Sequence, residues 1–321
     1  MRELFRRQPR FTPAAEPETA EVPGDLFFKC PRCKELSYGK EFQEALKVCQ
    51  SCGYHAPLSA HERLDLLLDP GTFTEWDADL ATEDPLGFVA GVAGKEETYR
   101  AKLESARRKT GLSEAVVAGE GRIAGRALAV VVADFGFMGA SMGSVYGEKL
   151  ARAAERAIER GLPLLTISAS GGARMQEGLF SLMQMAKTTA ALSRLGAVRL
   201  PHLSLLVDPC YGGVTASYAT VADVVLAEPG ARIGFAGASV VEQITRQKLP
   251  EGFQTAEFLL DHGLLDLIVP RRELRDTIAK LLGFYAAPGA APASRPALVT
   301  VVAPAPPAAE ALTVGANDDR D

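Results

Sequence analysis

The spacing Cys30-x-x-Cys33, fifteen residues, Cys49-x-x-Cys52 constrains the fold of this chain more than any other feature. A Cys-x-x-Cys pair on a tight turn aims two sulfurs at one point about 2.3 Å away, and two such turns close a tetrahedron around Zn²⁺. Pro31 inside the first pair and Gly53 after the second suit those turns. Two disulfides are the competing arrangement. A chain with 321 residues and 47% hydrophobic composition has the apolar material for a large core and no need of such staples. A catalytic zinc keeps one position open for water, and four thiolates leave none. Cys30, Cys33, Cys49 and Cys52 therefore read as the ligands of one structural zinc, and the chemistry must lie elsewhere.

The basic N-terminal stretch from Met1 to Arg7 has no apolar run behind it, so no secretory signal is expected. No apolar run approaches the roughly 20 residues of a membrane span. Unpaired thiols, including the fifth cysteine Cys210, suit a cytoplasmic location. The net charge of −5 speaks against a dedicated nucleic-acid binder.

Four segments are expected: a loose tail over 1–24, the ribbon over 25–57, a main body over 58–285, and an Ala/Pro-rich disordered tail over 286–321. Ser59-x-x-Glu62 is a capping box that opens a short helix ending at Pro70 and Gly71. A helix is expected over Lys95–Lys109. Buried strands are expected over Arg126–Phe135, Leu162–Ser170, His202–Pro209 and Ala222–Pro229. The helix Ser144–Arg160 places Leu150, Ala154, Ala157 and Ile158 on one stripe, opposite Arg152 and Arg156 on a solvated face. A longer helix is expected over Gly172–Leu195, with Leu179, Leu182, Met183 and Ala186 on one face. Strands alternating with helices mean a layered α/β body.

Glycine pairs follow two of the strands: Gly171-Gly172 after Ser170, and Gly212-Gly213 after Tyr211. Further glycine clusters span Gly136 to Gly147 and Gly234 to Gly237. Glycine lets the backbone approach a ligand with no Cβ in the way. Free N–H groups at a helix start favour negative charge, whether phosphate or developing oxyanion. The same glycines also serve simply to make turns and let helices approach; several clusters at strand ends favour a shared cleft. No G-x-x-x-x-G-K-[ST], G-x-G-x-x-G after a strand, or G-x-S-x-G motif is present. None of His55, His61, His202 and His262 stands as an obvious base for Ser170. The pattern points to catalysis by oriented backbone amides.

The ribbon motif, together with Lys109–Leu112, Asp134–Met138, Ser141–Val145, Gly147–Lys149, Ser168–Glu177, Ser181–Lys187, Gly212–Val214, Ile233–Gly237, Lys248–Phe253 and Glu257–Leu260, resembles the β subunit of bacterial acetyl-CoA carboxylase carboxyltransferase. The resemblance covers roughly residues 26–285. It departs from the family pattern at Ala140, at Cys210-Tyr211 and at Ala238-Ser239, the last removing a cation near the cleft. It implies a crotonase-like spiral of ββα units carrying an N-terminal four-cysteine zinc ribbon. It implies transfer of CO₂ from carboxybiotin to acetyl-CoA through an enolate, giving malonyl-CoA in fatty-acid biosynthesis. It carries the oxyanion role onto Gly212 and Gly213, with Gly171 and Gly172 as lining or second donors. Ser141, Gly143, Ser144, Gly147 and Lys149 become the expected CoA contacts. The implied partners are an α subunit in an α2β2 heterotetramer, the biotin carboxyl carrier protein and biotin carboxylase, within an ATP-binding ligase complex. Two other functions remain to be weighed. One is nucleic-acid binding by the basic ribbon face (Lys29, Arg32, Lys34, Lys40, Lys47); the other is an acyl-CoA decarboxylase subunit on the same fold.

Overall fold

The computed structural model describes residues 26–91 and 96–285; the two expected tails lie outside them. The strands are β1 (Phe27–Lys29), β2 (Leu36–Tyr38), β3 (Thr74–Trp76), β4 (Val89–Ala90), β5 (Glu97–Thr98), β6 (Val116–Ile123), β7 (Arg126–Ala133), β8 (Leu164–Ser170), β9 (His202–Tyr211), β10 (Val224–Ala227), β11 (Ile233–Gly234) and β12 (Leu267–Ile268). The helices are α1 (Gly39–Glu44), α2 (Ala60–Leu67), α3 (Tyr99–Thr110), α4 (Ser144–Arg160), α5 (Leu179–Ala197), α6 (Ala238–Thr245), α7 (Ala256–Asp261) and α8 (Leu274–Tyr285).

The body is one mixed sheet in the order β12-β10-β9-β8-β7-β6-β3, with β11 pairing the far end of β9. From β7 to β12 the neighbours run parallel; β6 joins β7 and β3 antiparallel. All seven residues of β8 are buried, as expected of a parallel strand covered on both faces. The β6–β7 hairpin turns on Ala124 and Gly125, both at positive φ, and the Asp69 carboxylate accepts both of their N–H groups.

Local chemistry sets the helix ends. Ser59 and Glu62 make the reciprocal capping box on α2. Thr98 caps α3 and Gly111 ends it in the left-handed region. The expected start at Lys95 is therefore displaced: 92–95 lie outside the described residues, and Glu97-Thr98 pair with β4 instead. Helix α4 matches its expected bounds, with Leu150, Ala154 and Ala157 buried. Its Arg152 and Arg156 do not merely face solvent; both reach Asp77, at 3.1 and 2.5 Å.

Helix α5 differs more. It begins at Leu179, because Gly178 has φ 52° and ψ −127°, outside any helix, and Ala173 bridges to Met142 before it. The expected apolar face is the outer one: Leu179 (69% exposed), Leu182, Met183 and Ala186 are exposed. The buried side carries Ser181, Gln184, Thr188, Ala191, Leu192 and Leu195.

The ribbon is fastened to the body by charge. Arg63 on α2 grips Glu228, at 2.5 and 2.9 Å. Arg271 donates to the same carboxylate at 2.8 Å twice, and to the ribbon carbonyls of Leu46 and Ala56 at 2.7 and 2.9 Å. All three charged side chains are at most 3% exposed. Burial works against the Glu228 carboxylate, but the two arginines overcome it and hold its pKa far below the usual range.

Candidate active site at two touching glycine turns

The four ribbon cysteines converge, their sulfurs all within 4.8 Å of one another. Cys30 and Cys52 are 3.7 Å apart, as are Cys33 and Cys49. A tetrahedron with metal–sulfur bonds of about 2.3 Å has edges of about 3.8 Å, so the set fits zinc and excludes disulfides. Cys210 stands outside this cluster, fully buried, with its thiol pushed up by burial.

Parallel pairing of β8 with β9 brings the two glycine pairs together at the sheet's C-terminal edge. A Cβ built on Gly212 would sit 2.7 Å from Gly172 Cα, so only glycine permits this contact. Gly172 and Gly212 also have positive φ (117° and 68°). A Cβ on Gly213 would meet Met185 Sδ at 3.1 Å.

The amides of these turns divide into engaged and free. Gly171 N–H donates to Gly139 O at 2.7 Å and Gly172 N–H to Ser170 Oγ at 2.9 Å. Gly212 N–H is shared between Gly234 O and Phe235 O, at 3.1 and 2.9 Å. Gly213 N–H takes no hydrogen-bond partner among the described residues, and neither does Ala173 N–H. Ala173 lies in a parallel bridge in which Gly172 O and Arg174 N face Met142, so its own N–H turns the other way. Sequence reasoning missed Ala173. Its only signal was its place directly after a glycine pair.

Ala173 opens onto a cavity of about 440 Å³, whose lining includes Lys102, Lys109, Met138, Ser141 and Met175. Of its two lysines on α3, Lys102 pairs with Glu97 of the same lining at 3.2 Å, and Lys109 has no ion pair among the described residues. Of the five expected CoA contacts, Ser141 lines it. Gly143 and Gly147 instead make room for Glu177 and Gln184, whose side chains occupy the space a Cβ would take. Ser144 N–H donates to Glu177 Oε2 at 2.6 Å. Lys149 is 1% exposed, bonds Ser113 Oγ at 3.2 Å, and lines a separate small cavity with His61 and Glu75. Burial pulls its pKa down.

Behind the cavity sits a second ionic cluster. Arg174 Nη1 donates to Glu114 at 2.9 Å, and Nη2 bonds the other Glu114 oxygen. Glu177 Oε1 accepts from Tyr99 OH at 2.6 Å and Thr82 Oγ1 at 3.0 Å. Arg174, Glu114 and Glu177 have fully buried side chains. Burial raises the Glu177 pKa, yet the bonds from Ser144 and Tyr99 and the Arg174 charge more than offset it, leaving the carboxyl below its usual range.

The carboxyl transferase domain family matches residues 91–255, and the acetyl-CoA carboxylase zinc finger domain matches residues 27–52. Acetyl-coenzyme A carboxylase carboxyl transferase subunit beta of Chloroflexus aurantiacus is 58% identical over 294 residues, 91% of this chain and 95% of that protein. The protein so named from Herpetosiphon aurantiacus is 53% identical over 289 residues, 90% and 95% of the two chains. Among solved structures, the transcarboxylase 12S hexamer with methylmalonyl-coenzyme A bound superposes with a TM-score of 0.58 at 27% identity. That match covers 75% of this chain, which spans only 42% of the transcarboxylase chain. The Pseudomonas malonate decarboxylase MdcD–MdcE heterodimer gives 0.53 at 26% identity, covering 71% and 86%. The fold is thus the crotonase-like carboxyl transferase fold with an N-terminal zinc ribbon. None of these matches supports nucleotide or ATP binding by this chain. By family profile, by identity across nine-tenths of its length and by its four-cysteine ribbon, the chain belongs to the acetyl-CoA carboxylase carboxyl transferase β subunits.

Proposed function

We propose that this chain carries the acetyl-CoA half of a carboxyltransferase site and converts acetyl-CoA to malonyl-CoA with carboxybiotin as CO₂ donor. The observation that carries this reading is the pair of unpartnered amides, Ala173 N–H and Gly213 N–H, on turns in backbone contact, with Ala173 lining a cavity that also holds Lys109 and Ser141. Loss of an α-proton places negative charge on the thioester oxygen, and preorganised N–H donors stabilise that charge. Gly212, Gly171 and Gly172 then act by shape, letting the turns meet, since their own amides are engaged. Lys109 suits a phosphate of CoA, Lys102 being paired with Glu97, and Ser141 suits the acyl end. Carboxybiotin would supply the carboxyl group, and the biotin left once CO₂ has departed would take up the α-proton; this chain's residues bind the thioester, hold its oxygen and exclude water.

In this reading the domains are the ribbon over 25–57 and the carboxyltransferase body over 58–285, acting in the cytoplasm; among the described residues no helix is long and apolar enough to cross a membrane. An α subunit completes the site in an α2β2 assembly served by the biotin carboxyl carrier protein and biotin carboxylase. The exposed apolar side of α5 supports such a partner, because Met185 of the same helix touches Gly213. Nucleic-acid binding by the ribbon is not favoured: Lys47 pairs with Glu62, and Lys34 bonds Pro31 O. The test is an assay of the chain with its α partner, carboxybiotin and acetyl-CoA. Malonyl-CoA formed only in the complete mixture supports the proposal; its absence, or decarboxylation alone, rejects it.

A further inference from the structure

The cluster behind the cavity does more than the fold requires. One arginine and two carboxylates are buried together, with the buried Lys149 ammonium on the far side of Glu114, and such a set stabilises no better than apolar side chains of similar volume. What it supplies is direction. Arg174 Nη2 donates to Ser141 O at 2.7 Å, and Nε to Ser141 Oγ at 3.2 Å. Glu177 Oε2 holds Ser144 N–H at 2.6 Å, at the first turn of α4, where the helix dipole favours a carboxylate. Two side chains from one turn thus grip both ends of the Ser141–Ser144 segment. That segment in turn fixes Ala173: Met142 N donates to Gly172 O, and Arg174 N to Met142 O, each at 2.9 Å.

We infer that Arg174 and Glu177 are positioning residues that aim the Ala173 N–H alongside the Gly213 N–H, with Tyr99 and Thr82 bracing the Glu177 carboxylate. The inference rests on the reading that these two amides hold the thioester oxygen. None of the four side chains touches substrate. The arrangement also closes the N-terminus of α4 to any external anion, since an internal carboxylate already occupies it. Lys109 on α3 is thereby left as the cavity cation without an ion pair among the described residues.

The test uses the zinc-loaded chain assembled with its α partner. Tyr99→Phe removes one hydroxyl and keeps the buried ring; Glu177→Gln keeps the size and removes the charge. Misplacement of a donor lowers kcat without weakening ground-state binding. The expected result is a kcat fall of about 5-fold for Tyr99→Phe and about 50-fold for Glu177→Gln, with KM for acetyl-CoA within about 2-fold. The double variant should be no slower than Glu177→Gln alone, because Tyr99 acts through Glu177. Glu177→Asp should recover part of the rate. Unchanged kcat with a lowered melting temperature would assign the cluster a purely structural role and overturn the inference. A raised KM at constant kcat would overturn it too. If Glu177→Gln does not fold, Tyr99→Phe and Thr82→Val decide by the same split. Ala173→Pro and Gly213→Val separate the two claims. Wild-type turnover in both removes the oxyanion reading and this inference with it; loss in both, beside unaltered kcat in Tyr99→Phe, Thr82→Val and Glu177→Gln, removes the inference alone.

Discussion

The two buried ionic clusters are opposite in stoichiometry. Beneath the ribbon, Arg63 and Arg271 share one carboxylate, Glu228. Behind the cavity, one arginine, Arg174, serves two carboxylates, Glu114 and Glu177. In each cluster backbone dipoles complement the charged groups, and in the second the buried Lys149 also lies by Glu114. Arg271 of the first faces the carbonyls of Leu46 and Ala56; Glu177 of the second faces an N–H at the start of α4. Buried charge thus works here as a locating device. One cluster seats a metal module on the body, and the other seats the chain segment beside the free amides.

Removing the metal tests the first seat most severely. Zinc contributes on the order of 10 kcal/mol to the folding of small ribbons. Cys33→Ser, or chelation, should release the metal and free the Leu46–Ala56 backbone to exchange, while the β6–β10 sheet keeps its protection. Stoichiometric metal in Cys33→Ser would contradict the ligand set. Glu228→Gln comes next. It leaves Arg63 and Arg271 with no carboxylate among the described residues, and breaking a buried pair in this way costs about 3–5 kcal/mol. Glu177→Gln should cost less stability, because Arg174 keeps Glu114. Denaturant unfolding of the two variants checks the order, and equal losses would dissolve the distinction between the clusters.

Gly213→Val puts a branched side chain against Met185 at the amide turn. We expect kcat to fall about 10²–10³-fold, roughly 2.7–4 kcal/mol of barrier, with thermal stability much less affected. Wild-type turnover would exclude Gly213. The smallest effect is set by pH. Neither Glu177 nor Glu228 contributes to acid loss between pH 6.5 and about 4.5, since both pKa values lie below the usual range. His202 does. Burial pushes its pKa down to about 4 against the opposing pull of Asp223, so below pH 6.5 the unfolded chain takes up a proton that the folded one refuses. Stability should fall by about 3 kcal/mol as pH drops from 6.5 to 4, at about 1.36 kcal/mol per unit. His202→Gln should flatten that slope in acid-unfolding curves. An unchanged slope would place the loss in another group.

Much of the architecture was legible because its signals are local. The Cys-x-x-Cys spacing, the Ser59/Glu62 box and the apolar runs of β7 to β10 each declare themselves within a few residues. Helix α5 was harder. Its apolar stripe Leu179, Leu182 and Met183 has the period of a core face, yet it is exposed, because periodicity finds a stripe without saying what covers it. The packing around the Gly143–Lys149 motif was harder still to read. Gly143, Ser144, Gly147 and Lys149 sit in a conspicuous motif, but their surroundings are Glu177, Gln184 and Ser113 from other parts of the chain.

By itself the sequence determined the ribbon and its four thiolates, the strand–glycine–helix repeat and the use of glycine where the backbone must come close. Only the tertiary structure decided which amides remain free. Whether an N–H is free depends on acceptors brought from elsewhere: Gly234 and Phe235 engage Gly212, Gly139 engages Gly171, and Met142 turns Ala173 outward. Those acceptors lie tens of residues away along the chain for each donor, and hydrogen bonding reaches about 3 Å. Linear order cannot convey a pairing of that kind until the sheet has folded.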